Sequence, residues 1–168
     1  MTGAELERTL KRYLADVQAV VLSGGRGAAA TSSTQEVIAL TPRAGGLTLL
    51  IAERVLGFPA EAIANLDRIG LAESALAAPQ AGFGGVEAYP DFATMTAVLC
   101  WHLVKNHPLP DGNKRCAFLA TVEFVERNRR TCLPAPGDPN ETDRVIRAVA
   151  SGEVSEADFR DWIAARCG

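Results

Sequence analysis

The sequence is poor in the residues that build metal sites and disulfide frameworks. Its 168 residues include four cysteines and two histidines. No two of the cysteines are close together in the chain, so a structural zinc site is not expected. Nothing in the cysteine spacing suggests a disulfide framework either. Cys100 and Cys116 lie in apolar stretches and are interpreted as small buried hydrophobic residues.

Long apolar runs and an excess of charge of either sign are also absent. No segment reaches the ~18 apolar residues of a membrane-spanning helix, and the N-terminus lacks the apolar core of a signal peptide. We therefore expect a cytoplasmic protein without a membrane partner. The net charge of −3 gives no general attraction to nucleic acid. A chain of this length is expected to fold as one domain without help from metal or disulfides.

What the sequence does contain is a polar segment between two apolar ones. Residues 106–115, the motif segment, read Asn-His-Pro-Leu-Pro-Asp-Gly-Asn-Lys-Arg. Residues 92–104 before it and 116–125 after it are apolar nearly all round. A helix that is apolar on every side is usually buried. The pattern therefore predicts two buried central helices joined by a polar loop.

Proline and glycine define the path of this loop. Pro108 and Pro110 cannot continue a helix, and each favours an extended conformation in the residue before it. The first central helix should thus end near His107. Gly112 allows a tight backbone path, and the second central helix is expected to start at Asn113 or close after it.

The side chains of the motif segment suit phosphate chemistry. The first amides of the second central helix have no partner inside it and make an anion site. Lys114 and Arg115 add two cations there, and an Arg can grip a phosphate with two hydrogen bonds. Asp111 suits Mg²⁺ that bridges phosphates. Imidazole titrates near neutral pH, so His107 is the candidate general base. Together these groups predict phosphoryl or nucleotidyl transfer.

This segment resembles the signature of the Fic/Doc family, His-x-Phe-x-Asp/Asn-Gly-Asn-Gly/Lys-Arg. Leu109 stands where the family has Phe, a conservative loss of packing. Lys114 is typical of the Doc-like (death-on-curing) branch, and Phe118 replaces a second Arg that the Fic form has and Doc-like members lack. The resemblance spans about residues 46–168. The matching residues are His107, Asp111, Gly112, Asn113, Lys114 and Arg115.

The resemblance implies an all-α, Fic/Doc-type helical bundle of about six to eight helices, with two buried central ones and a small flap loop. It also implies a toxin of a toxin–antitoxin system. Such a toxin transfers a phosphoryl group from ATP or another nucleoside triphosphate, with Mg²⁺, to a threonine of elongation factor Tu. A Phd-like antitoxin neutralises it. By this resemblance His107 is the base, Asp111 holds the metal, and the phosphates are cradled by Gly112, Asn113, Lys114 and Arg115.

Two other functions remain open at this point. The same loop can hold a nucleotide in the reverse orientation, which would give AMPylation of a protein hydroxyl instead of phosphorylation. Lys114 and the missing second Arg favour the kinase. Leu109 and the additional N-terminal residues would also fit a catalytically silent module that keeps the phosphate pocket.

The glycine-rich stretch 81–90 corresponds to the family's flap, which aligns the target peptide beside the active site. By resemblance, the docking edge would be formed by main-chain pairing along Phe83, Gly84, Gly85 and Val86. A plain surface loop is the alternative interpretation.

Residues 1–45 are an addition to the Doc-like domain, which is assigned to residues 46–168. Residues 2–22 predict an amphipathic helix, followed by a linker to about residue 46. The addition is interpreted as an extra packing helix. Self-inhibition through Glu36 in segment 32–37, dimerisation and partner docking are the alternatives. Further helices are predicted at 47–55, 60–66, 71–78 and 141–150, with Asp91 capping the first central helix and Ser155 opening the last helix.

Overall fold

The computed structural model describes residues 47–132 and 140–167. Helices dominate this part of the chain, as the all-α prediction required. The predicted helix at 2–22, the linker, the segment around Glu36 and most of the loop 133–140 lie outside the described residues. The elements are α1 (Leu47–Leu56), α2 (Ala60–Ala64), α3 (Ile69–Ala77), a 3₁₀ turn (Ala78–Gln80), β1 (Gly82–Phe83), β2 (Val86–Glu87), α4 (Phe92–Asn106), α5 (Asn113–Arg127), α6 (Glu141–Ser151) and α7 (Glu156–Ala164).

The two central helices, α4 and α5, form the core of the bundle. They pack most extensively against each other, and most of their residues are buried. Phe92 of α4 stacks on Phe124 of α5 with ring centroids 5.1 Å apart. The prediction of two buried central helices is therefore confirmed, because residues apolar all round have neighbours on every side.

The remaining helices cover this pair. On one side α7 packs on α4 and inserts Phe159 and Ile163, which are fully buried. On the other side α1 packs against α5 and α2. A second apolar cluster lies there, formed by Ala52, Ile63 and Leu109. Leu109 therefore anchors the motif segment to the helices α1 and α2.

Hydrogen bonds at helix ends explain the boundaries that the sequence predicted. Asp91 caps α4 by accepting a 2.7 Å hydrogen bond from the backbone N–H of Thr94. Ser155 does the same for α7 by accepting from the N–H of Asp158 at 3.1 Å. Both caps were predicted and are confirmed. The other predicted helices differ from the observed ones by one or two residues at their ends, which is ordinary fraying.

One expectation needs correction. The prediction of no disulfide was wrong, because Cys132 after α5 and Cys167 after α7 form one. These residues are 35 apart in the chain, and the fold brings the two helix ends together in a way that spacing does not reveal. In the flap, β1 and β2 pair as a short antiparallel hairpin.

In residues 47–132 and 140–167, no helix is long and apolar enough to cross a membrane.

Candidate active site

The site begins where α4 ends. His107 follows the last helical residue with φ 48°, in the left-handed region that non-glycine residues rarely adopt. Two hydrogen bonds from the α3 region hold this end in place. Arg68 Nη2 donates to the carbonyl of Asn106 at 2.9 Å, and Asn106 Nδ2 donates to the carbonyl of Leu71 at 3.0 Å. The turn therefore leads the chain out of the helix and leaves the His107 side chain exposed.

Asn113, the first residue of α5, ties the loop to the helix start. Its Oδ1 accepts from the N–H of Leu109 at 2.8 Å, and its Nδ2 donates to the Leu109 carbonyl at 2.6 Å. The same Nδ2 lies 3.2 Å from Nδ1 of His107. The side chain is buried and engaged by the loop, so the predicted contribution of Asn113 to phosphate binding falls to its backbone N–H.

Gly112 makes the sharp entry into α5 possible. Its φ is 69°, and a Cβ at this position would lie 2.7 Å from Cγ1 of Val55, closer than side-chain carbons approach. The first helical hydrogen bond runs from Cys116 N–H to the Gly112 carbonyl at 2.9 Å. Within the described residues, the backbone N–H groups of Asn113, Lys114 and Arg115 have no acceptor. Three donors at the positive end of a helix make an anion site.

The motif residues share one cavity, which we name the motif cavity. Its volume is about 150 Å³. The polar side chains of the motif segment surround it, while Phe118 and Ile146 supply apolar wall. The lining comprises His107, Asp111, Gly112, Asn113, Lys114, Arg115, Phe118, Thr142, Asp143, Ile146 and Arg147. Every motif residue to which a role was assigned from the sequence therefore borders the same space.

The acidic group of the motif fits a phosphate-bridged magnesium ion. Asp111 is exposed, and its Oδ1 accepts the N–H of Gly112 at 2.6 Å, which leaves Oδ2 for a ligand. Among residues 47–132 and 140–167, no group of three or more His, Cys, Asp or Glu side chains is arranged to hold a metal alone. Magnesium bound with substrate phosphates needs only one or two carboxylates, since waters and phosphate oxygens complete its shell. Asp111 meets that requirement.

Helix α6 supplies a wall that the sequence reasoning missed. It contributes Thr142, Asp143, Ile146 and Arg147 to the motif cavity. Nε of Arg147 donates to Oδ2 of Asp143 at 2.8 Å, and this bond and the carboxylate charge raise the pKa of Arg147. An Asp and an Arg four residues apart on a helix are a recognisable pair. The sequence does not reveal that this pair faces the motif, because α6 follows α5 in the chain by more than a dozen residues.

The flap stands apart from this cavity. Phe83 pairs with Val86, and the turn between them, Gly84-Gly85, has positive φ at both residues. Phe83 is 93% exposed and Val86 is 72% exposed. None of the four flap residues borders the motif cavity. Their assignment to target docking stays a prediction that the exposed apolar side chains favour.

Comparison with known proteins gives the same family as the motif. A family model described as the Fic/DOC family matches residues 32–125, more than half of the chain. A relative named Toxin Doc, from Mycolicibacterium smegmatis, is 39% identical over 82 residues. That alignment covers 49% of this chain and 62% of the relative, so it spans less than two-thirds of the relative's length. On the extent of the family match, the chain belongs to the Fic/DOC family.

Proposed function

We propose that this protein is the toxin of a toxin–antitoxin pair and acts as a Mg²⁺-dependent protein kinase. In this proposal it transfers the terminal phosphoryl group of ATP, or of another nucleoside triphosphate, to a protein hydroxyl. One observation carries the proposal. One cavity of about 150 Å³ is bordered by a histidine, a motif carboxylate, two motif cations and three helix-start amides that have no acceptor among the residues that the structure describes.

Each group has a part in the transfer. The oxygen of the target hydroxyl attacks the γ-phosphorus, the bond from that phosphorus to the β–γ bridging oxygen breaks, and the nucleoside diphosphate leaves. His107 takes the hydroxyl proton. The amides of α5 with Lys114 and Arg115 bind the phosphate oxygens and stabilise their charge. Asp111 holds Mg²⁺, which supplies charge neutralisation to the phosphates when bound.

Two residues favour phosphorylation over AMPylation. Lys114 occupies the position where the Fic form has Gly, and Phe118 occupies the position of the second Fic arginine. Phe118 is buried and contributes apolar surface to the motif cavity, so it offers nothing to a phosphate. The site therefore lacks an arginine that the AMPylating form uses.

The resemblance to the Doc-like branch and the similarity to the relative named Toxin Doc support our proposal for the macromolecular partners. We propose a threonine of elongation factor Tu as the acceptor, with arrest of translation as the consequence. A Phd-like antitoxin is the proposed inhibitor, and the cytoplasm is the proposed compartment. The flap, with Phe83 and Val86 exposed, is the proposed docking edge for the acceptor segment.

Labelled ATP distinguishes the two transfers. The purified full chain is incubated with Mg²⁺, a bacterial extract and ATP that carries the label in either the α or the γ phosphate. Protein labelled only from γ is the expected result. A protein labelled from the α phosphate would contradict the kinase proposal and indicate AMPylation instead.

Growth of a bacterial host tests whether the site is active at all. Induction of the wild type should stop growth, and induction of His107→Ala should not. A silent phosphate-binding module predicts equal growth for both, also after deletion of residues 1–45. The packing of Leu109 argues against the silent module, because its side chain is 6% exposed and holds the loop against Ala52 and Ile63.

A further inference from the structure

We infer that Arg147 is a third phosphate-binding cation of the motif cavity, and that it makes the site favour a nucleotide with a chain of phosphates over one with a single phosphate. This inference rests on the proposed function, since it names what selects the nucleotide at that same site. It assigns a role to a residue that lies outside the motif, on another helix and 32 residues after Arg115 in the chain.

Position is the first argument. Arg147 lines the cavity from α6, whereas Lys114 and Arg115 line it from the first turn of α5. A cavity with cations on two different helices can contact an extended anion at two points. A single phosphate bound at the start of α5 would leave the α6 cation unused.

The hydrogen bonding of the guanidinium is the second argument. Its Nε is bound to Oδ2 of Asp143 at 2.8 Å. Within the described residues this is the one hydrogen bond that the structure gives Arg147, so the two terminal amino groups remain available for phosphate oxygens. A guanidinium held at Nε is oriented before the ligand arrives, which reduces the entropy lost on binding.

Helix α5 has no further cation on its next turn toward the cavity. Three residues after Arg115, one turn further along α5, stands Phe118, which is 2% exposed. That turn of α5 therefore carries no cation toward the cavity. Ile146 of α6 is also buried beside the cavity. Arg147, which follows Ile146 in the chain, also lines the cavity and is the cation that α6 contributes to it.

Nucleotide binding measures this role without relying on catalysis. ATP, ADP and AMP are titrated with Mg²⁺ into the purified full chain and into four variants, Arg147→Ala, Arg147→Lys, Arg115→Ala and Arg144→Ala. Arg144 is the matched control, because it is an exposed arginine of the same helix that does not line the cavity. Thermal unfolding of each variant checks the fold, and Arg147→Ala is expected to melt close to the wild type because its side chain is half exposed.

Loss of a charged hydrogen-bonding partner of phosphate should weaken ATP binding about tenfold in Arg147→Ala. AMP affinity should change less than about twofold, Arg147→Lys should lie between, and Arg144→Ala should match the wild type. An equal loss for ATP and AMP, or wild-type ATP affinity in Arg147→Ala beside weak binding in Arg115→Ala, would refute the role of Arg147 and leave the proposed function standing. Absence of binding of ATP, GTP, CTP and UTP by the wild type would refute the proposed function itself.

Discussion

Asn113 holds the active-site loop through both polar groups of one buried amide. Its oxygen and nitrogen pair with the N–H and the carbonyl of Leu109, and the nitrogen also reaches His107. A motif asparagine next to two cations is easily interpreted as a phosphate ligand. The structure gives its side chain a different task, which is to set the shape of the loop that presents the base.

Replacing Asn113 by Ala should therefore cost stability as well as activity. The substitution leaves the N–H and the carbonyl of Leu109 without partners in a buried place, at about 2–3 kcal/mol in the free energy of unfolding. Lys114→Ala, at the exposed neighbouring residue, should change that free energy by less than about 0.5 kcal/mol. Urea denaturation of both variants measures the difference. Equal stabilities would mean that the amide is not needed to hold the loop.

At Leu109 we expect a substitution that raises the free energy of unfolding. A cavity of about 30 Å³ with largely apolar lining lies beside it, among α1, α2, α3 and the central helices. The family signature has Phe at this position, and a larger ring would fill that space. Leu109→Phe should raise the free energy of unfolding by roughly 0.5–1 kcal/mol.

Leu109→Ala is the matched control, and it should lower the free energy of unfolding by about 2–4 kcal/mol because it enlarges the cavity. Thermal and urea unfolding of both variants provide the comparison. A lower free energy of unfolding in Leu109→Phe would show that the space beside Leu109 cannot accommodate a larger side chain.

At the scale of elements, the central helices were predicted almost residue by residue. Asp91 and Pro108 bracket α4, and Gly112 precedes α5, so local chemistry is enough to define both ends. The wall that α6 gives to the motif cavity could not be predicted in the same way. Arg147 lines the cavity because α6 packs on the two central helices. The sequence pattern of a helix does not predict which neighbouring element its polar face contacts.

The cap of α4 gives a pH-dependent prediction. Hydrogen bonds from the side chain of Thr94 and from its backbone N–H lower the pKa of Asp91 below its ordinary value of 3.8. The folded state thus binds this proton less readily than the unfolded state, so the stabilisation is present above that value and is lost as the pH falls through the folded pKa. Asp91→Ala should cost about 1 kcal/mol near neutral pH.

Urea denaturation at about pH 7 and about pH 3 tests the cap. The difference between wild type and Asp91→Ala should shrink at the lower pH. Asp91→Asn keeps a capping oxygen without a titrating group, so its stability relative to Asp91→Ala should stay constant. A wild-type advantage that persists unchanged in acid would argue against the carboxylate as the capping group.

One disulfide connects parts of the molecule that are far apart in the chain. The Cys132–Cys167 bond connects the end of α5 with the end of the described chain and closes a segment of 35 residues that contains α6 and α7. Within that segment, α6 carries Arg147 and α7 packs on α4. The spacing of the cysteines does not predict this bond, since the two residues are brought together only by the complete fold.

Removing the bond should lower the stability of the entire bundle. Closing a loop of this length is worth about 4 kcal/mol in the chain-entropy model, which corresponds to roughly 10 °C in Tm for a protein of this size. A Cys132→Ser, Cys167→Ser double variant should melt lower by that amount. A reducing agent should reproduce the loss in the wild type and have no effect on the double variant. Four reactive thiols in the denatured, unreduced wild type would contradict the bond.

In the function proposed here, one cavity both binds the nucleotide and presents the base. Mg²⁺–ATP affinity and transfer of γ-labelled phosphate to protein should be measured on the same preparations of wild type and His107→Ala. We expect similar affinities for the two proteins. The transfer rate should be at least about 100-fold lower in the variant, because a general base usually contributes at least that factor to the rate. Equal transfer by the two proteins would contradict the proposed function.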